Sequence, residues 1–380
     1  GETLVAPSEM ALTLSTGEVL GESPRVRSAR RRAVTETIDA PLYRQSRFDA
    51  AYNELDLRLR GDYGILARAY DDGVCYRFYT ERDGELTIVD ETAQLNFEGD
   101  PSAYIPYSKT EIPMRTSFEN TYEYAPLSKF RTQTVAFMPV LVDLGERGYV
   151  LYTESDVEAY PGVYLTYDKE AKGFAARFAE CPTETSLTKR FQDVVERSAD
   201  YIARVDGRRS YPWRIVAYAA TATELPVNDM VWQTAEASRV ADASWVRDGK
   251  IAWDWWNNWG VYGVDFKSGI NTETYKYFID FAAANGIEYV ALDEGWGVRD
   301  GDVMHVVPEI DLPEIVSYAR EKKVGIILWV VAKVLDDKGS VAVDKGSRAL
   351  GKQLGKTRGM FKAFKDEYQK ASGGSSKATK

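Results

Sequence analysis

Histidine and cysteine are scarce in this 380-residue sequence, which contains one histidine, His305, and two cysteines. A histidine-rich zinc site is therefore excluded. A Ser-His-Asp triad would have to use His305, and the sequence has no Gly-x-Ser-x-Gly elbow. Cys75 and Cys181 are too far apart in sequence for a Cys-x-x-Cys motif, and we expect two free thiols rather than a disulfide.

Long apolar runs and an excess of positive charge are also missing. The sequence has no run of about 18 apolar residues, so we expect no membrane partner. The 48 basic residues are outnumbered by 58 acidic ones, for a formal net charge of -10. Nucleic-acid binding needs a basic surface that displaces phosphate counterions, so we expect no nucleic-acid partner. The hydrophobic content of 44% is typical of a folded protein, and the length suggests two or three domains.

Residues 1–245 show the period-2 pattern of β-strands. Leu55–Arg60 alternates apolar and charged residues, which is typical of a strand with one face in solvent. Asp71–Gly73 separates two further strand-like runs, as a hairpin turn would. Similar runs recur as far as Tyr218, and only Leu187–Val205 has a helical pattern. We therefore predict a large antiparallel β-sandwich over residues 1–245.

After residue 245, strand-like and helix-like segments alternate. The predicted strands are Ile251–Trp256, Glu288–Leu292 and Val324–Val331. Asn271 and Asp311 are the predicted N-caps of the two helices between them. A β-α-β-α-β order implies parallel strands with right-handed crossovers. We therefore assign residues 246–335 to the first βα units of a (β/α)8 barrel.

The remaining residues predict an incomplete barrel. Trp253 to Lys380 provides only about half of the roughly 250 residues that a complete (β/α)8 barrel takes. Lysines punctuate a helix-prone stretch after residue 335, and the last ten residues are rich in Gly, Ser and Lys. We expect residues 336–380 to form a lysine-rich helical or disordered tail.

Acidic residues surrounded by aromatic ones follow the first two predicted strands of this region. Asp254 lies near the end of the first strand, and Asp293 and Glu294 close the second. Barrel enzymes hold their working residues at the C-terminal ends of strands. Sugars stack on indole rings and bond to carboxylates, and cleavage between sugars generally needs paired acids. The flanking aromatic residues are Trp253, Trp255, Trp256, Trp259, Tyr262 and Trp296.

The same residues are compatible with a structural role. An Asp-Glu pair after a strand often belongs to a solvated loop. Clustered tryptophans more often pack in a hydrophobic core than form a surface that binds sugars. Asp254 in particular suits an orienting or helix-capping role as well as it suits substrate contact. The shared position at one barrel end favours a functional role for Asp293 and Glu294.

Several segments resemble glycoside hydrolase family 97, a family of α-glucosidases and α-galactosidases. The resemblance runs in order from about residue 40 to Val331, and its Trp-Asp-Trp-Trp block is highly specific. The similar segments are Tyr52–Leu55, Gly61–Gly64, Thr153–Asp156, Tyr160–Gly162, Tyr211–Arg214, Trp253–Asn257 and Asp293–Trp296.

The resemblance implies an N-terminal β-super-sandwich, a catalytic (β/α)8 barrel and a small C-terminal β domain. It implies an oligosaccharide substrate, and a periplasmic or secreted location. It also implies Ca²⁺ near the pocket, held partly by a sandwich glutamate that we place at Glu119. Glu294 would be the substrate-contacting acid, with Asp293 beside it and Asp254, Trp256 and Trp296 as further substrate-binding candidates.

The sequence departs from the family pattern in its last part. In the family, the nucleophile of the retaining branch closes the fourth strand, and the general acid follows later. After Lys333, however, the sequence shows no apolar strand ending in an acid, so we name neither residue. We expect a truncated α-glycosidase, a non-catalytic carbohydrate-binding remnant, or a product without an independent role. Retention or inversion, and glucose or galactose specificity, stay open.

Overall fold

The computed structural model describes residues 2–329, apart from 41–42, 110–113, 115, 188–192, 241, 243, 245 and 298–304. The chain divides into two compact units, residues 1–183 with 197–246, and residues 184–196 with 247–380. The predicted tail over residues 336–380 lies outside the described residues. Within the described ranges, no helix is long and apolar enough to cross a membrane.

The first part of the chain is built almost entirely from β-strands. Its one α-helix among the described residues, α1, spans Met230–Thr234. Short 3-10 turns cover Leu127–Lys129, Gly145–Arg147 and Ala222–Val227. The strands are β1 Met10–Leu14, β2 Val19–Leu20, β3 Val26–Asp39, β4 Arg47–Leu59, β5 Tyr63–Tyr70, β6 Gly73–Ala93, β7 Leu95–Asn96, β8 Ser102–Ile105, β9 Glu123–Pro126, β10 Val140–Asp143, β11 Tyr149–Ser155, β12 Tyr164–Asp168, β13 Gly173–Arg177, β14 Pro182–Leu187, β15 Asp193–Ser198, β16 Ala203–Ser210 and β17 Trp213–Ala219.

Two sheets share the hydrophobic core of the first unit. The larger sheet has 12 strands with the central order β3-β4-β5-β6-β17-β11-β10-β8-β9, and the smaller has the order β12-β13-β7. Ile88, Val142 and Tyr152 from the larger sheet lie in one buried cluster with Leu165 and Phe174 from the smaller. Alternate residues of each strand therefore face a common interior, which is the arrangement of a β-sandwich. The prediction that this region is mainly β is confirmed.

The helix predicted over Leu187–Val205 is wrong, because the structure places β15 and the start of β16 there. Strand β16 pairs with β6, and its Ala203 and Val205 are buried while Arg204 and Asp206 are exposed. This period-2 burial is what a strand with one solvated face requires. Pairing with β6 thus determines the conformation of residues 203–205, β15 pairs with β14, and residues 188–192 lie outside the described residues.

A buried ion network joins three strands of the sandwich core. The Arg214 guanidinium on β17 donates to both Glu91 carboxylate oxygens, each at 2.8 Å, and to Glu154 Oε2 at 2.6 Å. The Val163 N–H donates to the other Glu154 oxygen at 3.0 Å. Burial raises the pKa of Glu154, and the neighbouring Arg214 charge opposes that shift. Burial disfavours the charged form of Arg214, but the two carboxylates raise its pKa above the ordinary value.

The second unit contains a β-α-β-α-β sequence with parallel strands. Strands β18 Ile251–Trp253, β19 Tyr289–Leu292 and β20 Gly325–Leu328 form a sheet in that order. A 3-10 turn, Asp254–Asn257, follows β18 directly. The helices are α2 Thr272–Ala284 and α3 Leu312–Glu321.

Helix caps agree with the sequence analysis. The Asn271 side chain accepts from Thr274 N at 2.9 Å, and Asp311 accepts from Glu314 N at 2.9 Å. Gly286 follows α2 with φ of +61°, a left-handed conformation that ends a helix readily. One face of each helix packs on the sheet in a single core that includes Tyr275, Ile315 and Val290. The predicted β-α-β-α-β order is confirmed, while closure into a barrel stays a prediction.

Replacing Arg214 with Met tests the buried ion network. Arg214→Met removes the cation and leaves Glu91 and Glu154 buried without their partner, which typically costs about 3–5 kcal/mol. We expect a clearly lower urea midpoint for loss of β-sheet circular dichroism. Arg208→Met is the matched control, because Arg208 pairs with Asp83 in solvent and its loss should leave the midpoint unchanged. Equal midpoints for the two variants would contradict the assigned role.

Candidate functional site

Asp254 begins the turn after β18, and its carboxylate is fully buried. Asp254 Oδ2 accepts from the Tyr275 hydroxyl at 2.7 Å, from Trp259 Nε1 at 2.9 Å and from the Asp293 N–H at 3.1 Å. Tyr275 belongs to α2, and Asp293 directly follows β19. One carboxylate therefore connects the ends of two parallel strands with the helix between them.

The electrostatics of Asp254 follow from this enclosure. Burial raises the pKa of Asp254, and the hydrogen bonds from Tyr275, Asp293 and Trp259 oppose that rise. Burial also raises the pKa of Tyr275, and the adjacent Asp254 charge raises it further. Tyr275 therefore stays a hydroxyl donor at neutral pH. The geometry favours the orienting role considered for Asp254 over direct contact with a sugar.

Asp293 and Glu294 lie at the C-terminal end of β19. Asp293 Oδ2 accepts from Trp253 Nε1 at 2.6 Å, and Asp293 Oδ1 accepts from the Glu294 N–H at 2.5 Å. These bonds fix the Asp293 carboxylate at the strand end. The Glu294 side chain is exposed and, among the described residues, has no hydrogen-bond or salt-bridge partner. Its carboxylate is thus available to accept hydroxyl groups from solvent or from a ligand.

Gly295 gives the turn after Glu294 its shape. Its φ of +116° lies in a region that L-residues with side chains rarely adopt, and a Cβ there would lie 2.5 Å from Ile270 Cδ1. Any larger residue would strain the backbone and displace Ile270. The requirement for glycine at this position therefore fixes the path of the chain between Glu294 and Trp296.

The tryptophans of this unit divide into exposed and buried groups. Trp256 is 84% exposed, and Trp253 and Trp255 are also exposed. Trp296 is only 4% exposed and donates through Nε1 to the Trp329 carbonyl at 2.7 Å. Trp256 therefore presents a free indole surface, whereas Trp296 helps to connect β19 to the end of β20. Substrate contact by either residue stays a prediction.

Two residues of the site were not singled out from the sequence. Tyr275 lies at a buried position of α2, and its hydroxyl donates to Asp254. Trp329 was included in the predicted strand, but it lies just beyond β20 and is exposed. The end of an apolar run at a strand terminus could have indicated Trp329. The pairing of Tyr275 with Asp254 depends on tertiary packing that the sequence does not display.

Glu119, the candidate calcium ligand, lies in the first unit and is exposed. Its Oε1 accepts from the Ser117 hydroxyl at 3.4 Å. Calcium takes six to eight oxygen ligands. In the part of the chain that the structure describes, no three His, Cys, Asp or Glu residues are grouped so as to hold a metal ion. The described residues alone therefore do not make a calcium site around Glu119.

Comparison with known families identifies the class of protein. The family profile "Glycosyl-hydrolase 97 N-terminal" matches residues 1–236, and the profile "Glycoside hydrolase 97" matches residues 255–360. The chain belongs to glycoside hydrolase family 97. The second match continues past residue 335, where we predicted the barrel units to end, into residues that lie outside the described structure.

The two curated relatives described below are both named as alpha-galactosidases, one of them as a probable one. The chain is 42% identical over 338 residues to a retaining alpha-galactosidase of Bacteroides thetaiotaomicron, covering 87% of this chain and 51% of that protein. It is 29% identical over 350 residues to a probable retaining alpha-galactosidase of Streptomyces bingchenggensis, covering 88% of this chain and 48% of that protein. The chain thus spans about half the length of the curated relatives it matches.

Solved structures show the same fold. A glycoside hydrolase family 97 enzyme from Pseudoalteromonas sp. strain K8, in complex with acarbose, aligns with a TM-score of 0.68 at 19% identity, covering 86% of this chain and 49% of that one. A beta-arabinopyranosidase aligns with a TM-score of 0.66 at 22% identity, covering 87% of this chain and 50% of that one. At these identities the likeness establishes the fold alone.

Replacing Asp254 with Asn tests its orienting role. The amide oxygen of Asp254→Asn can replace Oδ2 as the acceptor for Tyr275 and Trp259, but its NH2 group then replaces Oδ1 and faces the Asp293 N–H, which is itself a donor. Buried donors left without an acceptor cost about 1–3 kcal/mol each, so we expect a lower urea midpoint and a changed near-ultraviolet dichroism of the tryptophans. Asp265→Asn is the matched control, because Asp265 is exposed in the same unit. If both variants unfold at the same urea concentration, Asp254 does not hold these elements together.

Proposed function

We propose that this chain acts in the hydrolysis of α-galactosides as an α-glycosidase of family 97. The observation that carries the proposal is the set of acids and exposed indoles at the C-terminal ends of β18 and β19, around the fixed Asp293. The 42% identity to a protein named retaining alpha-galactosidase favours galactosides over glucosides.

The proposed architecture is a β-super-sandwich followed by the first βα units of a (β/α)8 barrel. The two sheets with a common core support the first element, and the parallel order β18-β19-β20 with α2 and α3 supports the second. In (β/α)8 enzymes the catalytic face is the one at the C-terminal ends of the strands. That face is where the sequence Asp293–Trp296 begins.

Each candidate residue has a role that its surroundings support. Glu294, exposed and unpaired among the described residues, would accept hydroxyl hydrogen bonds from the sugar. Asp293 would do the same from a position fixed by Trp253. Trp256 would stack on the apolar face of the sugar, and Asp254 would position these groups from beneath. The substrate is an oligosaccharide with a terminal α-linked galactose.

Cleavage itself requires two carboxyl groups, one to protonate the leaving oxygen and one to act as nucleophile or base. We assign neither role within residues 2–329. In the family pattern these groups follow later strands, and the sequence after Lys333 provides no residue that we name for either role. The role of Asp293 and Glu294 in this proposal is therefore to bind and orient the sugar.

The proposal includes Ca²⁺ with Glu119 as one ligand. An exposed carboxylate is the hard oxygen donor that calcium prefers, and the remaining ligands would have to come from other parts of the protein. We also propose a periplasmic or secreted location, on the basis of the family resemblance.

Hydrolysis assays with the 380-residue chain test the activity. We expect release of p-nitrophenol from the α-galactoside in preference to the α-glucoside by roughly tenfold or more, since one mismatched hydroxyl loses a hydrogen bond. Chelation should reduce the rate, and added calcium should restore it. Binding of melibiose without turnover would favour the non-catalytic carbohydrate-binding alternative. The absence of both turnover and binding would contradict both functions.

Replacing Trp256 with Ala tests the sugar platform. Trp256→Ala should weaken calorimetrically measured melibiose binding roughly fivefold or more, as the loss of an aromatic contact worth about 1 kcal/mol would. Stability should stay the same, because the ring is exposed. Phe281→Ala is the matched control, since Phe281 is an exposed aromatic residue on α2. Equal affinities of the two variants would remove Trp256 from the site.

A further inference from the structure

A groove crosses the outer face of strands β3, β4 and β5 in the first unit. Strand register brings its lining residues together in two rows of three. Arg30 pairs with Asp56, which pairs with Leu66, and Arg32 pairs with Glu54, which pairs with Arg68. Side chains two residues apart on a strand point to the same face, so all six line one groove. Its volume is about 190 Å³.

The charges that line the groove do not balance. Glu54 is shared, because its Oε1 accepts from Arg32 Nε at 2.6 Å and its Oε2 accepts from Arg68 Nε at 3.0 Å. Asp56 accepts from the Tyr79 hydroxyl at 2.6 Å. Arg30 has no hydrogen-bond or ion-pair partner among the residues that the structure describes. Three guanidinium groups thus face two carboxylates, although the whole chain carries a net charge of -10.

The inner wall of the groove is fixed in place. The Glu54 side chain is buried, and that of Arg68 is mostly buried. The Arg68 guanidinium lies over the Tyr52 ring at 4.5 Å and over the Trp213 ring at 4.8 Å, measured to the ring centroids. Cation–π contacts and the Glu54 ion pair together hold Arg68 in one orientation. An incoming group therefore meets a preformed wall and orders mainly the Arg30 side chain.

We propose that this groove binds a small oxyanion, a carboxylate or a phosphate, through Arg30 with support from Arg32 and Arg68. The planar guanidinium fork matches the geometry of carboxylate and phosphate oxygens. The volume is below the 300–1,000 Å³ typical of pockets for drug-sized ligands, which suits a single anionic group. Pairing of β3 with the same edge of a second copy is disfavoured, because arginines at 30, 31 and 32 would face each other.

The test is calorimetric titration of the full chain with galacturonate and with inorganic phosphate, and galactose serves as the neutral counterpart of galacturonate. We expect Arg30→Gln to lower the affinity for the bound anion about tenfold, the loss of one charge-assisted contact. Arg31→Gln is the matched control, because Arg31 lies on the same strand with its side chain on the opposite face. It should change the affinity less than about twofold, since it removes the same charge without touching the groove.

The outcomes separate the sources of the anion. Binding of galacturonate but not phosphate identifies a saccharide carboxylate, whereas binding of phosphate identifies a general oxyanion site. No binding of either anion at millimolar concentration overturns the proposal. Equal losses of anion affinity in Arg30→Gln and Arg31→Gln also overturn the proposal, because they would show only long-range electrostatic attraction. The site does not depend on α-galactoside hydrolysis, and the two can fail separately.

Discussion

The Asp254 carboxylate is the contact on which the second unit's candidate site depends. Buried beneath the ends of β18 and β19, it accepts from Tyr275, Trp259 and the Asp293 N–H. A buried carboxylate is stable only when its oxygens are satisfied, so the donors are held as firmly as the acid. The bond to the Asp293 backbone matters most for the proposed sugar site, because it fixes the backbone position from which the exposed Glu294 follows.

In the sandwich, Arg214 connects buried elements as Asp254 does in the second unit. It joins Glu91 and Glu154, and these residues come from three different strands, β17, β6 and β11. The guanidinium groups of Arg68 and Arg77 lie over the ring of the neighbouring Trp213, at 4.8 and 4.5 Å from the ring centroid. Two segments that carry the family resemblance, Thr153–Asp156 and Tyr211–Arg214, therefore meet in the interior. Their unusual composition reflects a buried polar network, which tolerates few alternatives.

Local features of the second unit could be predicted from the sequence. Asn271 and Asp311 act as N-caps, and the apolar runs form strands, since each of these depends on a few consecutive residues. Strand lengths were less accurate, because β18 ends at Trp253 and a 3-10 turn begins at Asp254. The helical expectation for Leu187–Val205 failed because strand pairing determines its described residues: β15 pairs with β14, and the start of β16 pairs with β6.

Contacts between distant residues could not be predicted in the same way. The acids that follow the first two predicted strands of the second unit look alike in the sequence, yet Asp254 is enclosed by donors and Glu294 is exposed. The difference arises from the Tyr275 hydroxyl and the Trp259 indole, which reach Asp254 only after α2 packs on the sheet. The same holds for the groove at Arg30, whose lining is defined by strand register.

Burial decides what each acid in this protein can do. Glu91, Glu154 and Asp254 have their oxygens occupied by internal donors, so they stabilise and orient. Glu294 keeps its carboxylate free among the described residues, just after β19, and the exposed Trp256 follows β18, the strand that pairs with β19. An acid that is unpaired, fixed at its backbone and flanked by aromatic surface has the properties a sugar-binding residue needs. The saccharide assignment therefore rests more on Glu294 and Trp256 than on the larger number of buried acids.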